Sequence, residues 1–250
     1  WFQPVLALYD AIGKEVAFDD DYRFRPDPVI LFEVPRDGEY VLAIYDSIYR
    51  GREDFVYRIT LGELPFVTSL FPLGAQAGAS VTPELKGWNL LGAVLTSQHE
   101  PKGRADLQVS PAFRFMGVER ASTERSQSSG LLTNDAAPGI QTLVASRQEF
   151  VSAPVPFALD TLGDVFETES NNTQSSAQTV TLPIIVNGRI DKADDWDVFR
   201  FTGRSNETVA VEVQARRLDS PLDSSIKLTD ATGTLLAFSD DREDLGAGVN

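Results

Sequence analysis

Cysteine is absent from the 250 residues, and histidine and methionine occur once each, as His99 and Met116. Without cysteine there are no disulfides, no thiolate metal sites and no cysteine nucleophile. A single histidine excludes a zinc site built from two histidines of this chain. Basic residues are scarce: 22 Lys and Arg against 37 Asp and Glu leave a formal net charge of −15. That balance excludes a nucleic-acid partner, because phosphate contact needs clustered Lys and Arg. No apolar run reaches membrane-spanning length, and no basic stretch leads into an apolar signal core. Helical periodicity is never sustained over three turns, with one short turn at most near residues 175–179. The chain opens on Trp1 rather than Met, which is expected of a processed or excised piece.

What is present has a period of two. At 42% hydrophobic the chain can build real cores. Residues 29–34 form an apolar run before Pro35-Arg36-Asp37-Gly38, a turn signal, and residues 39–45 resume as a strand. That arrangement predicts an antiparallel hairpin, with residues 55–61 as a third strand. Residues 198–202 and 208–213 alternate again, with Arg200 and Glu212 on the water side. The predicted fold class is all-β, built of β-sandwich modules.

Charge divides the chain. Residues 1–63 hold 13 acids and 7 bases, residues 64–163 hold 8 and 7, and residues 164–250 hold 16 and 8. Fourteen of the fifteen net charges therefore lie in the two ends, a shift of the kind that marks domains. The nearly neutral middle carries eight prolines between short apolar runs. That spacing suggests an immunoglobulin-like sandwich over 64–163, with a polar, exposed loop at 122–130.

The two ends also match each other. Residues 6–21 (LALYDAIGKEVAFDDD) align without gaps to residues 226–241 (IKLTDATGTLLAFSDD), with eight identities at an offset of 220. Strand, Asp-x-x-Gly turn, strand and acidic loop recur in that order. The match predicts a module repeat of about 120 residues, a normal sandwich size. Residues 1–63 would then be the latter half of one copy, and 164–250 the first three-quarters of the next. A sandwich lacking edge strands exposes backbone that another segment can pair.

Residues carrying a family resemblance lie mainly in 164–250. They are Glu167, Glu169, Asn171 and Asn172; Gly188 to Ile190; Asp194, Asp195, Asp197 and Phe199; Ser220 to Asp223; and the Asp230 to Gly233 turn. This stretch resembles the bacterial pre-peptidase C-terminal domain, a jelly-roll-like β-sandwich of secreted proteases and large surface proteins. Residues 1–63 resemble its latter half, with Asp37-Gly38-Glu39-Tyr40 as the strand entry. Ser170 departs from the family, which usually has proline there. The segment opening Phe71-Pro72-Leu73-Gly74 is similar to the immunoglobulin-like spacers found beside such domains.

The resemblance implies a calcium site formed by Glu167, Glu169, Asn171, Asn172, Asp195 and Asp197. Extended backbone supports part of it, since alternate residues such as Glu167, Glu169 and Asn171 share a direction. Calcium takes six to eight oxygens, and the second loop can supply the remainder. Asp191 and Asp194 are weaker candidates, and the spacing is not that of an EF-hand. The acidic runs Asp19 to Asp21 and Asp240, Asp241, Glu243 and Asp244 read as solvated hairpin tips rather than a second site.

Nothing marks an enzyme. His99 lies in a polar stretch too near Ser97 to form a designed pair with it, and no Gly-x-Ser-x-Gly elbow or phosphate loop occurs. Trp88, Tyr22, Tyr45 and Tyr49 could stack on sugars, but strand positions suit core packing better. Residues 171–173 and 206–208 are formal glycosylation sequons that a bacterial chain would not use.

The expected function is a non-catalytic structural or adhesive segment of a secreted or cell-surface bacterial protein, with the periplasm as a further compartment. Calcium would stabilise it, and neighbouring repeats or other copies would be its partners through strand complementation. The alternative is a substrate-targeting module of a secreted hydrolase, binding carbohydrate or extracellular protein.

Overall fold

The computed structural model describes residues 2–23, 25–97, 128–129, 132–133 and 137–240. Among these the protein is all-β, with a single 3-10 turn at Arg216–Leu218 as its helical content. No described helix is long and apolar enough to cross a membrane. The chain divides into two compact units, Trp1–Gly62 and Glu63–Asn250. His99, most of the 122–130 loop, and Asp241, Glu243 and Asp244 lie outside the described residues.

In the first unit, Pro4–Asp10 is the central strand of an antiparallel sheet, between Glu15–Asp19 and Tyr40–Asp46. The tight turn before Glu15–Asp19 follows from two residues. Asp10 accepts hydrogen bonds on its carboxylate from the N–H groups of Ile12 and Lys14, at 3.1 and 2.9 Å. Gly13 takes a φ of 81°, which costs glycine little and other residues much. Asp46 closes the third strand: its buried carboxylate accepts the N–H groups of Gln3 and Arg50 and the Arg50 Nε–H. The Arg50 side chain holds that carboxyl well below the usual range, at about 2.

The predicted pairing of residues 29–34 with the strand at 40 does not form. Tyr40–Asp46 is instead matched over seven residues by Pro4–Asp10, from Pro4↔Asp46 to Asp10↔Tyr40. The N–H of Val29 turns to the Asp19 carboxylate, at 2.6 Å. Residues 29–34 and 55–61 form no ladder with any described residue. An extended apolar run becomes a strand only where a neighbour satisfies its backbone.

The second unit opens with a two-sheet sandwich. One sheet is Phe66–Phe71, Glu84–Trp88 and Ser128–Ser129, all antiparallel. The other centres on Gly139–Arg147, flanked by Val155–Asp160, Val94–Ser97 and Phe150–Val151, with Gly74–Gln76 added parallel to Val155–Asp160. Period-two burial places Val155, Phe157 and Leu159 inward from one strand, and Leu143 and Ala145 from its neighbour. They meet Val67, Leu70 and Leu85 of the first sheet in one continuous core.

Three residues, 161–163, connect this sandwich to the segment 164–240. In that segment the ladders are short. Asp164–Phe166 runs parallel to Ile185–Asn187, and Gln178–Thr179 parallel to Phe199–Arg200. Ile226–Thr229 and Leu235–Ser239 form an antiparallel hairpin. The expected strand over 208–213 is absent: Val209, Val211 and Val213 are 38%, 56% and 41% exposed, and no described strand borders them.

The hairpins at 6–19 and 226–239 have equivalent geometry. Leu6↔Asp19 and Leu8↔Ala17 correspond to Ile226↔Ser239 and Leu228↔Ala237, and each ladder shifts register at the same place, Leu8/Tyr9 and Leu228/Thr229. Asp230 accepts from Thr232 and Thr234 N–H groups as Asp10 does from Ile12 and Lys14, and Gly233 takes a φ of 91°.

Candidate metal centre

Two loops converge beside the Asp164–Phe166 strand. The first, residues 167–172, is held by backbone and amide bonds. Glu167 donates its N–H to the Asn187 carbonyl at 3.0 Å, and Thr168 donates to the Gln178 side-chain oxygen at 2.7 Å. The Asn171 carbonyl accepts from Val198 N–H at 3.1 Å, tying this loop to the second, residues 191–198. In that loop Asp194 takes a φ of 63° and turns the chain, and Asp191 donates its N–H to Asp195 at 2.8 Å.

Carboxylate oxygens of Glu169, Asp195 and Asp197 all lie within 4.8 Å of one another. Asp195 is 9% exposed, and its other bond comes from the Asn172 amide at 3.1 Å. Glu167 lies beside Asp197. Asn171 is fully buried, and among the described residues neither its side-chain oxygen nor its nitrogen has a hydrogen-bond partner. Buried oxygens of Glu167, Asn172 and Asp197 likewise have none among them. As carboxylates, Glu167 and Asp197 cannot bond each other, so only a proton or a cation can join them.

Their titration reflects that arrangement. Burial pushes the Glu167 carboxyl up to about 7, aided by the proton it can share with Asp197 and by the charges of Asp197 and Glu169. Burial also raises Asp197, reinforced by the charges of Asp195, Glu169 and Asp191. Leaving buried polar atoms without partners costs on the order of 1–3 kcal/mol each. An oxygen-ligated cation would satisfy the unpartnered oxygens among them, though not the Asn171 nitrogen, which needs an acceptor.

The donor set is oxygen throughout, from carboxylates and amides on two loops, and it fits calcium better than a nitrogen- or sulfur-seeking metal. Of the six residues expected at the site, Glu169, Asp195 and Asp197 converge, Glu167 lies beside Asp197, Asn172 bonds Asp195, and Asn171 meets Glu169 through its backbone N–H. Glu169 is exposed while Asn171 is buried, so the first loop is not one extended segment with aligned side chains. Asp194 serves the turn and Asp191 offers its N–H. Gly188 is the residue whose role the sequence did not disclose. A Cβ there would lie 2.5 Å from Glu167 Oε2 and 3.2 Å from Asp197 Oδ2, so any side chain would intrude on the carboxylates.

The other candidates are not assembled into sites. Asp19 is occupied by Val29. Tyr45 and Tyr49 stack on each other at 5.6 Å, and Trp88 is half-buried in its strand. Ser97 Oγ is buried without a partner, among described residues that do not include His99.

No protein-family model matches the chain, and no solved structure matches it. A probable subtilase-type serine protease of Deinococcus radiodurans is 28% identical over 182 residues, which cover 68% of this chain and 24% of the relative. The chain thus spans about a quarter of the length of the curated relative it matches, and what the two share is similarity to one portion of a protease.

Proposed function

We propose that this chain is a non-catalytic, calcium-stabilised β-sandwich segment of an exported bacterial hydrolase, acting outside the cell to place or target the catalytic part. The observation that carries the calcium assignment is the convergence of carboxylate oxygens of Glu169, Asp195 and Asp197 within 4.8 Å, beside buried oxygens of Glu167, Asn172 and Asp197 that have no partner among the described residues. The protease relative supports the hydrolase context. A chain without cysteine, holding a hard cation instead of disulfides, suits stability outside the cell. Calcium titrated into the chelator-treated chain is expected to bind at one site, read by calorimetry, and Asp197→Asn is expected to abolish that heat. A wild-type chain that takes up no calcium would overturn the assignment.

A second reading, a structural or adhesive segment that assembles by strand complementation, is favoured by the duplicated hairpin. Pro4–Asp10 holds a strand on each side, whereas Ile226–Thr229 pairs only with Leu235–Ser239 among the described residues. A strand with the Tyr40–Asp46 pattern, from a neighbouring copy, would complete the second hairpin as it does the first. Under this reading, sedimentation equilibrium shows mass rising with concentration. A constant monomer mass from micromolar to millimolar chain excludes it.

A further inference from the structure

The residues flanking the metal centre are also those that grip the preceding sandwich. Phe166, one position before Glu167, places its ring 5.8 Å from that of Phe71, the last residue of the Phe66–Phe71 strand. Arg189, one position after Gly188, lays its guanidinium 3.8 Å from the centre of the same Phe71 ring. That guanidinium also forms an ion pair with Glu84, on the neighbouring strand of the same sheet, and holds the Glu84 carboxyl below its ordinary range. Phe166 and Asn187 are register partners, so the two grips belong to one short ladder.

The same backbone reaches the carboxylates. The Arg189 N–H donates to Glu167 Oε1 at 2.6 Å, and Gly188 brings the chain so close to Glu167 and Asp197 that a Cβ there would displace the Glu167 carboxylate. Residues 161–163 connect the last sandwich strand to this ladder, and the Arg216–Leu218 turn, with Leu218 buried, packs against the same strand farther along. A connector of three residues limits separation but does not by itself fix orientation.

We propose that the metal centre is a joint lock: cation binding fixes the backbone at Glu167 and Gly188, and so sets Phe166 and Arg189 against Phe71 and Glu84. This rests on the calcium assignment and adds what the ion regulates. Without a cation, four carboxylates face one another, and their mutual repulsion loosens the two loops. With it, the loops are tied together and the Arg189 clamp is held on the sandwich. Occupancy then sets how rigidly residues 164–240 are carried by the sandwich before them, which matters for a segment that spaces or aims another domain.

The absence of native cysteine makes the test direct, since spin labels can be placed at Glu149→Cys in the sandwich and Ala231→Cys in the hairpin, both exposed positions. The 250-residue chain is measured by double electron–electron resonance with calcium and with chelator, while terbium luminescence reports site occupancy independently. Calcium is expected to narrow the inter-label distance distribution. Arg189→Ala removes the guanidinium but keeps the N–H that bonds Glu167. It is expected to bind terbium as wild type does and to lose the narrowing. A distribution unchanged by calcium in a chain that binds terbium overturns the joint lock and leaves the metal centre standing. Narrowing that survives Arg189→Ala overturns it too. A chain that binds no terbium overturns both.

Discussion

Saturating calcium is expected to raise the melting temperature of this protein by about 5–10 °C over the chelated form at pH 8. A ligand present at a hundred times its dissociation constant adds about 2.7 kcal/mol to the folded state. For a unit of this size each kcal/mol is worth roughly 2–4 °C. The pH dependence gives the measurement a second axis. Glu167 titrates near 7 in the folded chain against an ordinary value of 4.5. Between those values the folded state binds more protons than the unfolded one, so stability of the chelated protein falls as pH rises. Its full contribution is present below about 4.5 and is lost through about 7. Calcium replaces the shared proton, and its increment is therefore expected to be small at pH 5 and large at pH 8. Calorimetric melting in calcium and in chelator at both values reads this directly. Asp197→Asn removes one negative charge from the cluster, so its chelated form is expected to melt higher than chelated wild type at pH 8 and to gain nothing from calcium. Identical melting temperatures in all four wild-type conditions would refute both the site and its titration.

Much of the architecture was legible because strand patterning and turn chemistry are local. The Asp-x-x-Gly turns at 10–13 and 230–233 depend on residues within a few positions of one another, and both form as expected. Pairing is not local. Residues 29–34 and 39–45 were the natural hairpin by proximity, yet Tyr40–Asp46 is claimed by Pro4–Asp10, some thirty residues away. The apolar run at 208–213 shows the same limit. Its alternation is that of a strand, but alternation describes a face, not the neighbour that must supply hydrogen bonds.

The acidic cluster was legible in composition and not in arrangement. Acidic and amide residues at 167–172 and 195–197 named the candidate ligands, of which Glu169, Asp195 and Asp197 converge. What the pattern could not show is that Asn171 is driven inside while Glu169 stays at the surface. That division follows from the Asn171 carbonyl bonding to Val198 across the loops, a contact between segments 27 residues apart. Gly188 was visible only as part of a motif, since close approach of two carboxylates to a backbone leaves no trace in spacing. The Phe71–Arg189–Glu84 clamp was invisible for the same reason: Arg189 lies more than a hundred residues along the chain from both of its partners.

Phe157→Ala is expected to cost the second unit about 3–5 kcal/mol, the upper range for truncating one side chain. Phe157 has no exposed surface and lies in the middle of Val155–Asp160, opposite Gln141. Its ring fills space between the two sheets, in the core shared with Leu70, Leu85, Leu143 and Leu159. Truncation loses the transfer of the ring from water and leaves a cavity that the flanking ladders oppose closing. Val155–Asp160 is bonded on both edges, to Gly139–Arg147 and to Gly74–Gln76, so it cannot move inward without breaking one of them. Ile140→Ala supplies the control: it lies on the adjacent strand, 61% exposed, and its truncation is expected to change stability by no more than about 0.5 kcal/mol. Urea unfolding followed by intrinsic fluorescence measures both. Equal losses for the two variants would show that the core does not lie where these sheets place it. Because Val155–Asp160 leads through residues 161–163 into the metal-site ladder, the same variants also test the order of dependence. A calcium increment that persists in Phe157→Ala places the site's own bonds, rather than sandwich packing, as what holds the two loops together.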